Sequence, residues 1–166
     1  MITNSKKQEI TLVLGGTGKT GRRIVDRLRD KGHGVRVGSR SSAPAFDWDR
    51  EESWGPALED VSSVYINYAP DLAMPGASDA IRSLGWRAKL AGVERLVLLS
   101  GRGEDEARAC ERIVQQSGLE WTIIRASWFN QNFSEGAFVD MVQKGAITLP
   151  AGNTPEPFVD VNDIAD

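Results

Sequence analysis

The 166-residue sequence predicts an α/β protein built on a doubly wound, all-parallel sheet with helices on both faces, in three layers. Two observations carry this expectation. Short apolar, β-branched runs alternate with amphipathic helical patterns from Ile10 to Ile124, the order that builds right-handed β-α-β crossovers. The first run also ends in a glycine series, Gly15, Gly18 and Gly21, that passes straight into a helical pattern. Strand, bare-backbone turn and helix start, in that order, describe a site for a dinucleotide pyrophosphate. The expected architecture is therefore Rossmann-like (three-layer α/β/α), one domain over residues 1–166 with its C-terminal part short or missing.

Ile10–Leu14 reads as a buried strand. Residues 19–31 read as a helix with Ile24, Val25 and Leu28 on one face, stopped by Gly32. Gly34–Gly38 is a second strand, and a short third is expected at 45–47. Residues 51–58 form a brief helix interrupted near Gly55-Pro56, and 61–67 a strand rich in β-branched and aromatic residues. A loop at 70–75 leads to a helix over 77–91, closed by Gly92. The strand at 94–99 leaves through the loop Ser100-Gly101-Arg102-Gly103 into a helix over 104–117, ended by Gly118. Residues 119–124 are the next strand. Residues 128–133 and 135–144 are helix or loop, a short strand falls near Phe158-Val159, and 159–166 reads as the opening turn of a helix.

The glycines have separate tasks. Gly15 lets the chain leave the strand in a tight turn, Gly18 lets backbone meet phosphate with no Cβ between them, and Gly21 lets the helix lie close to the sheet. The spacing G-x-x-G-x-x-G departs from G-x-G-x-x-G, and its context is what makes it informative. Lys19-Thr20 precede the last glycine, so a Walker phosphate loop does not fit.

Composition excludes several classes. Hydrophobic residues make up 40% and charged residues 26%, as in soluble globular domains, and the net charge of -3 implies no general attraction to nucleic acid or anionic membrane. No apolar run approaches the ~20 residues a membrane helix needs, and the polar N-terminus lacks the apolar stretch of a signal peptide. The single cysteine, Cys110, rules out an internal disulfide and suits a reducing compartment, so the expected location is the cytoplasm. One histidine and one cysteine, with no carboxylate cluster at ligand spacing, leave metal binding unsupported.

The second strand leads into Ser39-Arg40-Ser41-Ser42, about 20 positions past the glycines, where NAD-specific proteins place a carboxylate on the ribose hydroxyl. No carboxylate lies between Asp30 and Asp47. Arg40 offers a planar fork for a 2′-phosphate, which favours NADP(H) over NAD(H), and Asp47 is a candidate for the adenine amino group.

Taken together, Gly15-Gly16-Thr17-Gly18-Lys19-Thr20-Gly21, Val37-Gly38-Ser39-Arg40, Leu96-Val97-Leu98-Leu99-Ser100, Trp121-Thr122-Ile123-Ile124-Arg125, Trp128-Phe129-Asn130-Gln131-Asn132-Phe133, and Phe158-Val159-Asp160 with Asp163-Ile164-Ala165 resemble the NmrA-like group of atypical short-chain dehydrogenases/reductases. The resemblance covers nearly the whole chain. It implies a Rossmann domain with a small C-terminal substrate part, and members that either reduce small electrophiles such as quinones and dyes or sense the nucleotide without turning it over. It also implies that Gly15, Thr17, Gly18, Lys19 and Thr20 line the pyrophosphate and that Arg40 reads the 2′-phosphate. Asn67-Tyr68-Ala69-Pro70 and Ser100-Gly101 would flank the nicotinamide ribose, and Ala126, Ser127, Trp128, Phe129 and Asn130 would approach the ring. Two departures stand out. Residues 104–112 hold no Tyr-x-x-x-Lys, the usual proton-donating pair, and the sequence stops before most of the family's C-terminal region.

Trp128, Phe129 and Phe133 are candidates for the floor of a flat apolar pocket, with Asn130 and Asn132 orienting a carbonyl or the carboxamide. Ser100, at the carboxyl end of a central strand, is the weak catalytic candidate. His33 reads as a surface turn residue and Cys110 as buried; Glu104-Asp105-Glu106 complement a helix dipole. The function expected is NADPH-dependent reduction of a small electrophile, a quinone or conjugated carbonyl, with the proton from solvent or Ser100. The alternative is an NADP(H)-binding redox sensor that contacts a regulatory protein partner. A third reading takes the chain as the cofactor half of a longer enzyme.

Overall fold

The computed structural model describes residues 9–136, 138–149, 152–153 and 155–166; the polar N-terminus, apart from Glu9, lies outside them. In chain order the elements are β1 (Ile10–Leu14), α1 (Lys19–Asp30), β2 (Gly34–Gly38), a 3-10 turn (Glu51–Ser53), α2 (Trp54–Leu58), β3 (Ser63–Ile66), α3 (Ala77–Leu90), β4 (Arg95–Gly101), α4 (Asp105–Gln115), β5 (Glu120–Ala126), α5 (Asn132–Glu135), α6 (Val139–Gln143) and α7 (Val161–Ala165). The five strands form one sheet in the order β2-β1-β3-β4-β5, every pair parallel.

Alternation along the strands fills two cores. Leu12, Leu14, Val64, Ile66, Leu96 and Leu98 face α2, α3 and α4, where Trp54, Ile81, Leu84, Ala107, Cys110 and Val114 meet them. Val13, Tyr65 and Leu99 face the other way, toward Ile24 and Val25 of α1 and Val161 and Ile164 of α7. The doubly wound, three-layer arrangement is thus present, and Cys110 is fully buried while His33 sits exposed in its turn. Among the described residues, no helix is long and apolar enough to cross a membrane.

Four boundaries differ from expectation, each for a local reason. No strand forms at 45–47: the Phe46 amide donates to the Ser39 carbonyl (2.8 Å) and the Asp47 carbonyl accepts from the Trp54 indole (2.7 Å), so local bonds replace a ladder. The apolar character of that segment serves packing instead, since the Phe46 ring stacks on Trp54 at 5.7 Å. The 51–58 helix divides before Trp54 and not at Pro56; Pro56 falls in the first turn of α2, where no intrahelical donor is needed. Ser100 and Gly101 belong to β4 and not to its exit loop, because β5 runs on to Arg125 and Ala126 and pairs with them. The strand near Phe158-Val159 is reduced to a single parallel bridge, Phe129 to Val159.

The last segment closes the molecule. Asp160 caps α7 by accepting from the Asn162 amide (2.8 Å), as the opening helical turn at 159–166 anticipates. Val161 and Ile164 are buried against α1, and Arg27 pairs with Asp166 and donates to Asn162 (3.2 Å). Burying two such side chains contributes about 1.5–3 kcal/mol each, whereas the exposed ion pair adds at most about 1 kcal/mol.

Candidate functional site

Strand order reverses direction at the junction of β1 and β3, and ligands of open α/β sheets bind in the crevice outside the carboxyl ends there. Gly15 ends β1 with φ +67°, a left-handed turn that a side chain resists, and Asn67 lies against it from the end of β3. Gly21 is fixed by contact: a Cβ there would stand 2.2 Å from the Gly15 carbonyl oxygen, so only a bare helix turn packs on the loop. The helix α1 begins at Gly18 with no side-chain cap and no acidic residue in its first turn, which leaves its leading amides open to an anion. These features fit a diphosphate.

The candidate residues of this loop do different things. Gly15 and Thr17 line a cavity of about 560 Å³; Thr17 is exposed and Thr20 is buried. The Thr20 hydroxyl accepts from Asn67 Nδ2 (3.4 Å) beneath the loop. Lys19 reaches sideways, its ammonium donating to Asn132 Oδ1 (2.6 Å). Lys19 therefore joins the loop to α5 in this conformation.

That cavity continues along the end of β2. Gly38, Ser39, Arg40, Ser41 and Asp47 line it, and Phe46, Trp48 and Asp49 complete its wall. Arg40 is exposed and makes no hydrogen bond or ion pair among the described residues. The Asp47 carboxylate accepts from the Asp49 amide (3.2 Å), which orders the turn. Trp48 packs edge-on to Phe46 and Trp54 and tilts against Tyr68 at 4.8 Å. Sequence reading missed this aromatic wall; three aromatics within nine residues after the second strand were the available signal.

A second cavity, about 530 Å³, opens beyond Pro70, which lines both. Asn67, Tyr68, Ser100, Gly101, Ser127, Trp128, Phe129 and Asn132 from the candidate set all line it. Phe133 and Asn130 do not: the Phe133 ring packs on Phe138 and Phe158, one layer behind Trp128, and Asn130 is exposed. Charged groups that sequence reading did not assign to a pocket also line it, namely Asp71, Arg102, Glu104 and Glu156. They come from separate loops, so no spacing in the chain links them.

Ser100 is held from behind. It is 3% exposed and its hydroxyl donates to Glu111 Oε1 (2.7 Å), whose carboxylate also takes a bidentate grip from Arg125 (2.9 and 2.6 Å). The Arg125 hydrogen bond holds the Glu111 carboxyl below the usual carboxylate range, with burial opposing. Ser100 therefore turns its proton inward and its lone pairs toward the cavity, the reverse of the donor role considered for it. Of the two tyrosines, Tyr65 is buried and pushed by desolvation up to about 12. The α4 helix turns Ala107, Cys110, Glu111 and Val114 inward, at the positions where a catalytic Tyr-Lys pair would be sought.

The profile of a family described as NAD(P)H-binding matches residues 15–150. The chain is 33% identical to the uncharacterized oxidoreductase YesF of Bacillus subtilis (strain 168), over 96% of this chain and 59% of that protein. It is also 33% identical to agroclavine dehydrogenase of Claviceps fusiformis, over 93% of this chain and 60% of that one. It superposes with a TM-score of 0.72 on the NADPH-dependent quinone oxidoreductase QOR2 of Escherichia coli complexed with NADPH, at 20% identity over 94% of this chain and 62% of that one, a likeness of fold. The chain thus spans about three fifths of the length of the curated relatives it matches. The profile match over residues 15–150 makes the chain a member of that NAD(P)H-binding family.

Proposed function

We propose that this chain is an NADPH-dependent reductase whose acceptor is a small, flat electrophile such as a quinone or conjugated carbonyl. The observation that carries it is the pair of cavities meeting at Pro70. One has at its rim the Arg40 guanidinium, without a partner among the described residues, and the other has Trp128 and Phe129 in its wall. A dinucleotide laid across the helix start has one end by Arg40 and the other by the aromatic wall. The protein's contribution is to orient the nicotinamide and exclude water; hydride transfer is the chemistry that the cofactor supplies. A relative named agroclavine dehydrogenase and a structural neighbour named quinone oxidoreductase support an oxidoreductase reading. The test is NADPH oxidation against a panel of quinones and enones, beside calorimetric binding of NADPH. Turnover with any acceptor supports the reading; binding without turnover of any acceptor overturns it.

A second reading, a redox sensor that binds the nucleotide and presents a surface to a partner protein, is favoured by one observation: α4 offers no Tyr-Lys pair. Binding without turnover, with different protease cleavage patterns for the NADP+ and NADPH forms, is its expected signature.

A further inference from the structure

A carbonyl reductase needs a proton for the oxygen of its acceptor; Ser100, the residue expected to give one, does not, and neither do the tyrosines or the lysine near the crevice. Ser100 donates inward to Glu111. Tyr65 is buried and absent from the cavity wall. Tyr68 lines the cavity, but its ring leans on Trp48, and burial together with Asp49 raises its phenol, away from the lowered value an acid catalyst needs. Lys19, whose ammonium lies 5.9 Å from the Phe129 ring and donates to Asn132, does not line the cavity wall.

Glu104 stands in a different situation. It sits at the N-terminal boundary of α4 but caps nothing, since its side chain accepts no amide of that helix. Its carboxyl lies instead against the backbone of Gly101, so close that a Cβ on Gly101 would meet Oε2 at 2.0 Å. The bare glycine at the end of β4 is what admits the carboxyl, and the same cavity wall holds Ser100, Trp128 and Asn132. Among the described residues Glu104 has no hydrogen-bond or ion-pair partner. The cation facing this space from the same loop, Arg102, is drawn to Glu156 of the C-terminal segment at 3.6 Å.

We propose that Glu104 is the proton donor of this cavity, taking over the task that a tyrosine performs in other short-chain reductases. The proposal rests on the reductase reading above. The reduced nicotinamide, when bound, would supply a hydride to the acceptor carbon, which would leave the displaced π pair on the acceptor oxygen. That oxygen takes the proton of the Glu104 carboxyl, the O–H bond of the acid breaks toward its own oxygen, and water restores the proton after product leaves. The charge environment suits an acid. Partial burial first, then Asp71 from the β3–α3 loop and Glu106 from α4, raise the Glu104 carboxyl above the usual carboxylate range. Arg102 and Glu156, the other charged groups in the cavity wall, face each other.

The unloaded chain gives the first readout. In carbon-13 spectra of glutamate-labelled protein, the resonance lost in Glu104→Gln should titrate above the other glutamates; a midpoint in the ordinary range overturns the proposal. Kinetics give the second. Two acceptors are compared: an enone, whose oxygen must be protonated, and a cationic dye, whose carbon takes the hydride and needs no proton. Glu104→Gln should slow the enone about 100-fold and the dye less than threefold, with Glu104→Asp restoring part of the enone rate. Equal loss on both acceptors, no loss on either, or an enone loss found in Tyr68→Phe and absent from Glu104→Gln overturns Glu104 alone. Failure of the unaltered chain to reduce either acceptor overturns the reductase reading, and this proposal with it.

Discussion

Arg40 and Glu111 are both charged and both near the crevice, yet they answer to different physics. Arg40 is exposed and has no hydrogen-bond or ion-pair partner among the described residues, so its value lies in what it can bind. Arg40→Asp replaces a fork for a phosphate dianion by a repelling carboxylate. NADPH affinity measured by calorimetry should fall at least about 100-fold, as expected for loss of roughly 3 kcal/mol, while NADH affinity changes less than threefold. Equal losses refute the 2′-phosphate reading. Glu111 is buried and fully bonded, so its value is structural. Glu111→Ala should cost about 2 kcal/mol in urea unfolding at pH 7, at the middle of the range for hydrogen bonds to a charged group. The larger penalty of a stranded buried ion does not apply, because the Arg125 side chain is 57% exposed and regains water. Glu111 titrates lower in the folded chain than in the unfolded one. Its contribution is therefore present above the ordinary carboxylate pKa and lost as pH falls through the depressed folded value. The wild-type advantage over Glu111→Ala should shrink below about pH 4. Arg40 was legible in the sequence from its place after the second strand. The bond between Ser100 and Glu111 was not, because it joins a strand end to a helix face with no pattern in the chain to announce it.

Among the elements, the turn from β1 to α1 is where sequence and geometry agree most closely. Gly21→Ala puts a methyl 2.2 Å from the Gly15 carbonyl, so the helix must move off the loop. The ordinary helical gain of Ala over Gly, about 1 kcal/mol, is then outweighed by overpacking of about 1–3 kcal/mol, and nucleotide binding should fall with it. Gly55→Ala, in α2 with open space around its Cβ, should instead raise stability by about 0.5–1 kcal/mol. Urea midpoints of the two variants should move in opposite directions; a shared direction would sink the argument that contact, and not helix propensity, selects Gly21. The missing strand at 45–47 marks the limit of reading elements from local pattern. Phe-Asp-Trp has β-forming residues, but a strand needs a neighbour with free ladder groups, and here Phe46 bonds to Ser39 and stacks on Trp54.

At the scale of the molecule, α7 returns a distant segment to the first helix. Ile164, 7% exposed, packs where Ile24 and Val25 lie, so Ile164→Ala should cost about 2–3 kcal/mol in urea unfolding. Loss below about 0.5 kcal/mol would mean that α7 contributes little to the fold. The same closure places α5 beside α1, where Arg22 and Arg23 pair with Glu135 and Lys19 reaches Asn132, so the far end of the chain builds one wall of the crevice. By itself the sequence determined the parallel sheet, the helix on each crossover, the glycine turn and the position of Arg40. These follow from periodicity, backbone freedom and the separation of residues along one strand-turn-helix unit, which are all local. Only the tertiary structure decided that Ser100 turns inward, that Phe133 stands behind Trp128, and that Glu104 rests on Gly101 with no ion-pair partner among the described residues. Such relations depend on which loops meet at the carboxyl ends of non-consecutive strands, and that meeting is set by strand order and packing rather than by any spacing along the chain.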